Sequence, residues 1–270
     1  MVRDSKDIKL VAIDLDGTLY NTKSQISKRN LAALRRCLDY GIKIIITTAK
    51  TVYTVRNLIT ELGLKDPQVA SAGAAIISSD LEVIYTRKIP LKAYSKAIKL
   101  ARQYEVGVCT SCVDGFVYIE NDDPSLKDIW ESGERPKKTD SLLDRNVAGN
   151  ALLLTFAVQP GNIFSKVAIE ALGPEIKLRR AWDHWLTGCS LYAGKMGALK
   201  KILSFTGIRR SNAMAIGDSE SDLGMISLAG FGVAMGNASK ALKDSADYIV
   251  SDNDNDGVAE AIELFVFNGR

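Results

Sequence analysis

Six side chains in four short stretches could do chemistry together. Asp14 and Asp16 stand one residue apart in "KLVAIDLDGTLYNTK", Thr48 closes the hydroxyl pair in "IKIIITTAK", Lys195 opens "KMGAL", and Asp218 and Asp222 bracket "GDSESD". Carboxylates gathered at this density repel one another unless a cation neutralises them, and hard carboxylate oxygens suit Mg²⁺. Mg²⁺ holds few protein carboxylates, keeps waters and binds substrate phosphate, so Asp, Lys and hydroxyl together read as phosphoryl transfer. Two aspartates at this spacing permit a division of labour. One carboxylate attacks phosphorus to give an aspartyl phosphate; the other protonates the leaving oxygen and then deprotonates water. Gly17 lets the chain turn sharply after the pair, bringing backbone N–H groups towards a phosphate.

Such groups need elements that carry them to one edge. "KLVAIDLD", "IKIIITTAK" and "PQVASAGAAII" read as apolar strands, separated by the helical patterns "SKRNLAALRRCLDYG" and "TVYTVRNLITELGL". The same rhythm returns from Lys195 through "NAMAIGD", "SDLGMISLAG", "FGVAMG", "ASKALKDSA" and "DYIVS". Apolar strands alternating with helices predict an α/β fold with a doubly wound parallel sheet, and ligands of such sheets bind outside the strands' carboxyl ends. Between the two halves the pattern becomes helix followed by paired strands, twice, which predicts an inserted α+β domain. On this reading residues 1–83 and 189–270 form the core and 84–188 the insertion. Alternation allows only one of Thr47 and Thr48 to face the edge, and Thr47 reads as the ordinary strand residue.

The motifs "DLDGTLY", "TTAK", "KMGAL" and "GDSESDLGM", in that order and spacing, resemble the haloacid dehalogenase-like superfamily, and the size of the insertion resembles its Cof-type phosphatases. The resemblance spans nearly the whole chain. It implies a core with a cap, Asp14 as nucleophile, Asp16 as general acid/base, Thr48 as a phosphate donor, and Lys195 as charge partner of phosphate and nucleophile. It further implies Mg²⁺ held by Asp14, by Asp16 through its backbone carbonyl, by Asp218 and on the side of Asp222, with phosphate contacts from Gly17, Thr48, Ala49, Lys195 and Ser221. Dehalogenases of the group lack the second aspartate, since a halide leaves without a proton; Asp16 therefore favours phosphate esters. The chain departs from the Cof-type pattern at Lys50, Ala72 and Ser221, where Arg, Asn and Asn are usual. Each change shortens or removes a polar contact. For Asp222 a second role stays open, that of an acidic residue favoured by a helix N-terminus.

The implied function is a Mg²⁺-dependent phosphatase of small phosphate monoesters, sugar phosphates first and phosphoglycolate-like acids next. A phosphomutase or phosphotransferase of the same fold, or a weakly active phosphometabolite-binding regulator, are the alternatives. Within the insertion, "LRRAWDHWLTG" gathers Arg179, Arg180, Trp182, His184 and Trp185, either as contacts for an anionic or sugar-like leaving group or as alternate residues of a strand facing core and solvent.

Composition sets the remaining bounds. A chain of 270 residues with 46% apolar residues can bury a large core, and 35 basic against 32 acidic residues give +3, too little for a nucleic-acid or membrane surface. "MVRDSKDIKL" puts charges where a signal peptide needs its apolar centre, and no apolar run reaches a bilayer's span, so a cytoplasmic protein, monomer or homodimer, is expected. The four cysteines include "CTSC", but the odd offset aims Cys109 and Cys112 at opposite faces of a strand, against a zinc or redox role. "SDNDNDGVAE" begins like a calcium loop but has the wrong glutamate spacing, and reads as an ordinary loop leading into a helix.

Overall fold

A computed structural model describes residues 7–127, 134, 136–181 and 184–268. Its strands are β1 Leu10–Ile13, β2 Lys43–Ile46, β3 Gln68–Ala70, β4 Ala75–Ile77, β5 Val83–Thr86, β6 Val108–Cys112, β7 Val117–Ile119, β8 Pro136–Lys138, β9 Ala151–Ala157, β10 Ile176–Ala181, β11 Trp185–Ser190, β12 Ala213–Gly217, β13 Phe231–Ala234 and β14 Tyr248–Ile249. Its α-helices are α1 Lys28–Asp39, α2 Val52–Leu62, α3 Leu91–Gln103, α4 Arg145–Ala148, α5 Phe164–Leu172, α6 Lys195–Thr206, α7 Leu223–Leu228, α8 Lys240–Ser245 and α9 Gly257–Ile262. By compactness the chain forms two units, Met1–Thr48 with Gly63–Val69 and Gly194–Arg270, and Ala49–Leu62 with Ala70–Ala193.

In the first unit the five strands lie in the order β14-β13-β12-β1-β2, all parallel. All four residues of β1 are buried, as a central strand with helices on both faces requires. The chain leaves β1 for β2 on one side and returns through β12 on the other, so the strand order reverses at β1. Register aligns Ile13 with Ile46 and with Ile216, which brings the residues after these three strands to one level of the carboxyl edge. The helix expected before Gly41 forms as α1, where Ser27 Oγ accepts from Asn30 N at 3.0 Å. β3 joins β2 partly through a side chain: the buried Gln68 accepts from Ile46 N (2.6 Å) and donates to Ile44 O (2.9 Å), the same exchange a strand backbone would make. The last helix widens after α9 into a π-turn over Glu263–Phe267.

The second unit holds a six-stranded sheet, β10-β11-β9-β6-β7-β8, antiparallel apart from the β7–β8 pair. Helices α3 and α5 cover one face, with Tyr94, Phe156 and Phe164 at the centre of the buried cluster. Each expected pairing of a helix with two strands is present. β8 is an exposed "PKK" edge strand; proline and lysine are edge residues and leave no hydrophobic period to detect in the sequence. Whereas the sequence reading placed the boundary at residue 83, α2 is tied into this unit. Arg56 donates to Leu81 O (2.8 Å) and Asp114 O (3.1 Å), and Thr51 Oγ1 bonds the Glu134 carboxylate.

The two cysteines of "CTSC" part as expected: Cys112 belongs to the cluster under the helices, while Cys109 packs with Val117, Ile119, Leu126 and Trp185 on the opposite face. All four thiols are free and buried. Burial pushes Cys37, Cys109 and Cys112 up to about 12 and raises Cys189 as well. At pH 8 a thiol titrating near 12 is thiolate only about one part in 10⁴, and the thiolate is the nucleophile. Native protein treated with iodoacetamide at pH 8 is therefore expected to keep its mass, and urea-unfolded protein to gain four adducts. Rapid labelling of the native chain would contradict this account of the cysteines.

Candidate active site

β1 ends at Ile13, but Asp14 N still donates to Ile216 O at 3.0 Å, so the ladder holds the Asp14 backbone one step past the strand. From there the chain winds. Leu19 N bonds Asp14 O (3.3 Å), and Thr18 N and Tyr20 N bond Leu15 O (3.3 and 2.8 Å). Winding rather than strand alternation thus relates the two aspartates. Asp14 and Leu15 are buried and Asp16 is exposed. Gly17 makes the turn possible at φ 81°, and a Cβ there would stand 2.6 Å from Asp218 Oδ2. No other residue both tolerates this conformation and leaves room for the carboxylate.

Lys195 begins α6 with its side chain buried, and Nζ donates to Asp14 Oδ1 at 2.5 Å and to Asp222 Oδ1 at 2.6 Å. A cation at a helix N-terminus opposes the macrodipole, so the two carboxylates, not the helix, account for its position. Asp222 is fully buried. Its Oδ2 accepts from Asp218 N (3.2 Å), Ser219 N (3.0 Å) and Ser219 Oγ (3.0 Å), a capping box that locks the loop after β12. Asp222 therefore does act as the acid at a helix start, while its other oxygen holds Lys195. Ser219 has one hydroxyl proton and gives it to Asp222, which makes Ser221 Oγ the donor in the 2.8 Å contact between the serines.

Sequence reasoning missed three groups here. Thr18 Oγ1 donates to Asp218 Oδ1 at 2.9 Å and steers that carboxylate; Thr18 is fully buried, and the threonine of "DGT" was the available signal. Ser219 was equally legible as the first residue of a Ser-x-x-Asp box. The third is Gly217, where a Cβ would meet Asp222 Cβ at 2.6 Å. Of the threonine pair, Thr47 turns its hydroxyl towards Ile13 O (3.4 Å) and Met225 Sδ (3.2 Å) within the core, as alternation predicts. Thr48 is buried at the end of β2, and its N–H bonds Val69 O at 3.1 Å. Ala49 is exposed and belongs to the second unit.

Asp14, Asp218 and Asp222 each bring a carboxylate oxygen within 4.8 Å of the other two. Burial pushes Asp14 well up from the usual carboxylate range, with Lys195 opposing and Asp222 and Asp218 reinforcing the rise. Asp218 is also raised, again chiefly by burial. Burial works against the Lys195 ammonium, yet the two aspartates override it and hold the lysine above its ordinary range. Three ionised carboxylates against one ammonium leave two negative charges uncompensated in a buried site. A small divalent cation would cancel that excess, and an all-oxygen donor set fits a hard ion.

The sheet face in the second unit decides how "LRRAWDHWLTG" is arranged. Arg180 points to the helical side, where Nη2 donates to Ser165 Oγ at 3.0 Å. Arg179 lies on the opposite face, in one row with Thr187, Thr155 and Cys109. Trp185 is buried in the small cluster on that same face, and the His184 ring packs against it with centroids 5.4 Å apart. Trp182 lies outside the described residues. Among the described residues Arg180 thus faces the helices, while Arg179 and Trp185 share the other face.

Residues 11–262 match the haloacid dehalogenase-like hydrolases. A 5-amino-6-(5-phospho-D-ribitylamino)uracil phosphatase of Bacillus subtilis, YcsE, is 31% identical, covering 98% of this chain and 98% of its own. A phosphoglycolate phosphatase of Methanobrevibacter smithii is 28% identical over 96% of this chain and 99% of its own. The crystal structure of a haloacid dehalogenase-like hydrolase from Bacteroides thetaiotaomicron superposes with a TM-score of 0.87 at 30% identity, covering 95% of this chain and 98% of that one. A parallel sheet whose strand order reverses beside two aspartates, interrupted by an α+β unit, defines the class as a Rossmann-like hydrolase with an insertion. Within that class the chain belongs to the haloacid dehalogenase-like hydrolase family, in its Cof-type group, and its enzyme class is phosphatase.

Proposed function

We propose that this enzyme is a Mg²⁺-dependent phosphatase of small phosphate monoesters, with sugar and polyol phosphates as the leading substrates and phosphoglycolate-like acids next. The observation that carries the reading is the buried Lys195 bridging Asp14 and Asp222, beside Asp218 and below an exposed Asp16. Asp14, Asp218 and Asp222 would hold the ion together with the Asp16 carbonyl, and the ion's contribution would be to neutralise the phosphate and the carboxylates that face it. Asp222, with both oxygens already engaged, contributes mainly its charge. YcsE, by its name, acts on a phosphorylated ribityl chain, which supports a polyol phosphate as the first class to test.

The proposed chemistry uses these groups in turn. An Asp14 carboxylate oxygen attacks phosphorus as the bond from phosphorus to the ester oxygen breaks, and Asp16, entering as the acid, gives that oxygen its proton. Asp16, now carboxylate, then takes a proton from water; the water oxygen bonds to phosphorus, the acyl phosphate opens, and Asp14 and inorganic phosphate are released. Lys195 holds Asp14 oriented throughout and lowers the cost of its negative charge. Thr48, Gly17 and Ser221 supply the phosphate's neutral neighbours. Asp16 regains from the attacking water the proton it gave to the leaving oxygen, and its exposure leaves it open to both.

Among the described residues no helix is long and apolar enough to cross a membrane. Four buried, unpaired thiols support a reducing compartment, the cytoplasm, as the place of action. A phosphate-release screen over polyol, sugar and acid phosphates, with and without Mg²⁺, tests the proposal. Turnover is expected to vanish with a chelator and return with added Mg²⁺, and Mg²⁺ is expected to raise the melting temperature of the wild type but not of Asp218→Asn. Metal-independent turnover would overturn it. Transfer of the phosphoryl group to a second hydroxyl would establish the phosphotransferase alternative.

A further inference from the structure

The acid/base role of Asp16 demands a fixed loop, yet Asp16 is followed by a glycine in left-handed conformation, the residue with the least intrinsic restraint on its peptide planes. Two other loops of the first unit supply that restraint. Asn237, after β13, donates from Nδ2 to Gly17 O at 2.8 Å, and its Oδ1 accepts from Asn253 N at 3.2 Å. Asn253, after β14, is buried and donates from its own Nδ2 to Tyr20 O at 2.9 Å. The amide orientations are dictated by the partners. A carbonyl needs the NH₂ end and an N–H needs the oxygen, so Asn237 satisfies both in one orientation only. Two carbonyls on either side of the turn after Asp16 are thus gripped by two asparagines in series.

The stretch "SDNDNDGVAE" explains how the grip is kept rigid. Asp252 Oδ1 accepts from Asp254 N, Asn255 N and Asn255 Nδ2 at 2.8–3.0 Å, winding the loop on itself. Asp254 Oδ1 then accepts from both Thr22 N and Thr22 Oγ1 at 3.0 Å, and Asp256 accepts from Ser27 Oγ. Of the acids that resemble a calcium loop, Asp252 is spent on the loop itself and Asp254 and Asp256 on the segment that runs from Gly17 to α1.

We infer that Asn237 and Asn253 are positioning residues for Asp16, clamping the Gly17 and Tyr20 carbonyls so that the acid reaches the leaving oxygen. The inference rests on the acid role proposed for Asp16. Its test is the ratio of kcat/KM on glycerol phosphate, whose alkoxide leaves only with a proton, to kcat/KM on p-nitrophenyl phosphate, whose phenolate leaves without one. The ratio is taken within one sample, so a partly unfolded variant does not disturb it. In Asp16→Asn the ratio is expected to fall by about 10²-fold, within the range for loss of a general acid. In Asn237→Ala, Asn237→Asp and Asn253→Ala it is expected to fall about tenfold or more, with the nitrophenyl ester suffering the smaller loss, because the carbonyl clamp is gone while Asp16 remains. Asn237→Asp keeps the oxygen that Asn253 N requires and removes only the donor to Gly17 O, which isolates that bond. A lowered ratio in Asp16→Asn with an unchanged ratio in all three asparagine variants, or an equal loss on both esters, overturns the clamp. An unchanged ratio in Asp16→Asn overturns the acid role and the clamp with it.

Discussion

Asp14→Asn is expected to abolish turnover, by about 10⁴-fold or more in kcat, on every ester that the wild type hydrolyses. Losses of that size accompany removal of a nucleophile whose partners act with it as a unit. The amide nitrogen cannot attack phosphorus, and of the neighbouring groups Asp222 has both oxygens engaged and Thr18 Oγ1 donates to Asp218. The same variant is expected to fold at least as stably as the wild type when divalent cations are absent. Burial and two neighbouring carboxylates push the Asp14 carboxyl up, so neutralising it relieves repulsion, and Lys195 keeps Asp222 as its partner. Kinetics on a polyol phosphate, beside a melt in chelator, separates the two effects. Turnover surviving the substitution would remove Asp14 from the mechanism, and a large drop in stability would show that repulsion at the edge is weaker than its geometry indicates.

Lys195→Met is expected to fail in both respects. Its ammonium is hydrogen-bonded to both Asp14 and Asp222, and methionine fills nearly the same volume without the charge. Leaving buried carboxylates unpaired costs about 3–5 kcal/mol. A urea melt should register most of that, and Mg²⁺ should restore part of it by supplying charge to the same cluster. Activity should fall by about 10²–10³-fold, the scale on which preorganised charge acts at a reacting centre. A variant that keeps wild-type stability without added metal would mean the cluster is already protonated and the lysine dispensable.

The parts of this molecule that sequence revealed best are those where one residue type has one reason to be present. Hydrophobic runs such as "LVAI" and "KIII" marked the parallel strands, because buried strands have no polar face to confuse the pattern. Asp14 and Asp218 stood out as charges at the ends of such runs, Lys195 and Asp222 as charges at helix starts, and the four converge. What stayed hidden depended on bonds made across the fold. Gln68 looks like any polar residue before a strand, although its amide stands in for backbone between β2 and β3. Strand alternation does not reach Asp16, since the chain leaves β1 after Ile13 and winds. Within "LRRAWDHWLTG" alternation was the right device, and it sends Arg179 and Arg180 to opposite faces. The asparagine pair was invisible because Asn237 and Asn253 are far from Gly17 in sequence, and composition alone made the loop of Asn253 resemble a cation site.

The order of strands in the first sheet also bears on how the chain comes off the ribosome. β1 lies between β2 and β12, so when β2 has emerged one flank of β1 is still open, and it stays open while the whole stretch Ala49–Ala193 is synthesised. An apolar strand with an unpaired edge is a template for association with other chains. Until Ala213–Gly217 arrives to close that flank, β1 has no partner there. The closure that protects it is also the event that brings Asp218 beside Asp14, so the polypeptide ceases to be a folding hazard and becomes chemically competent in the same step.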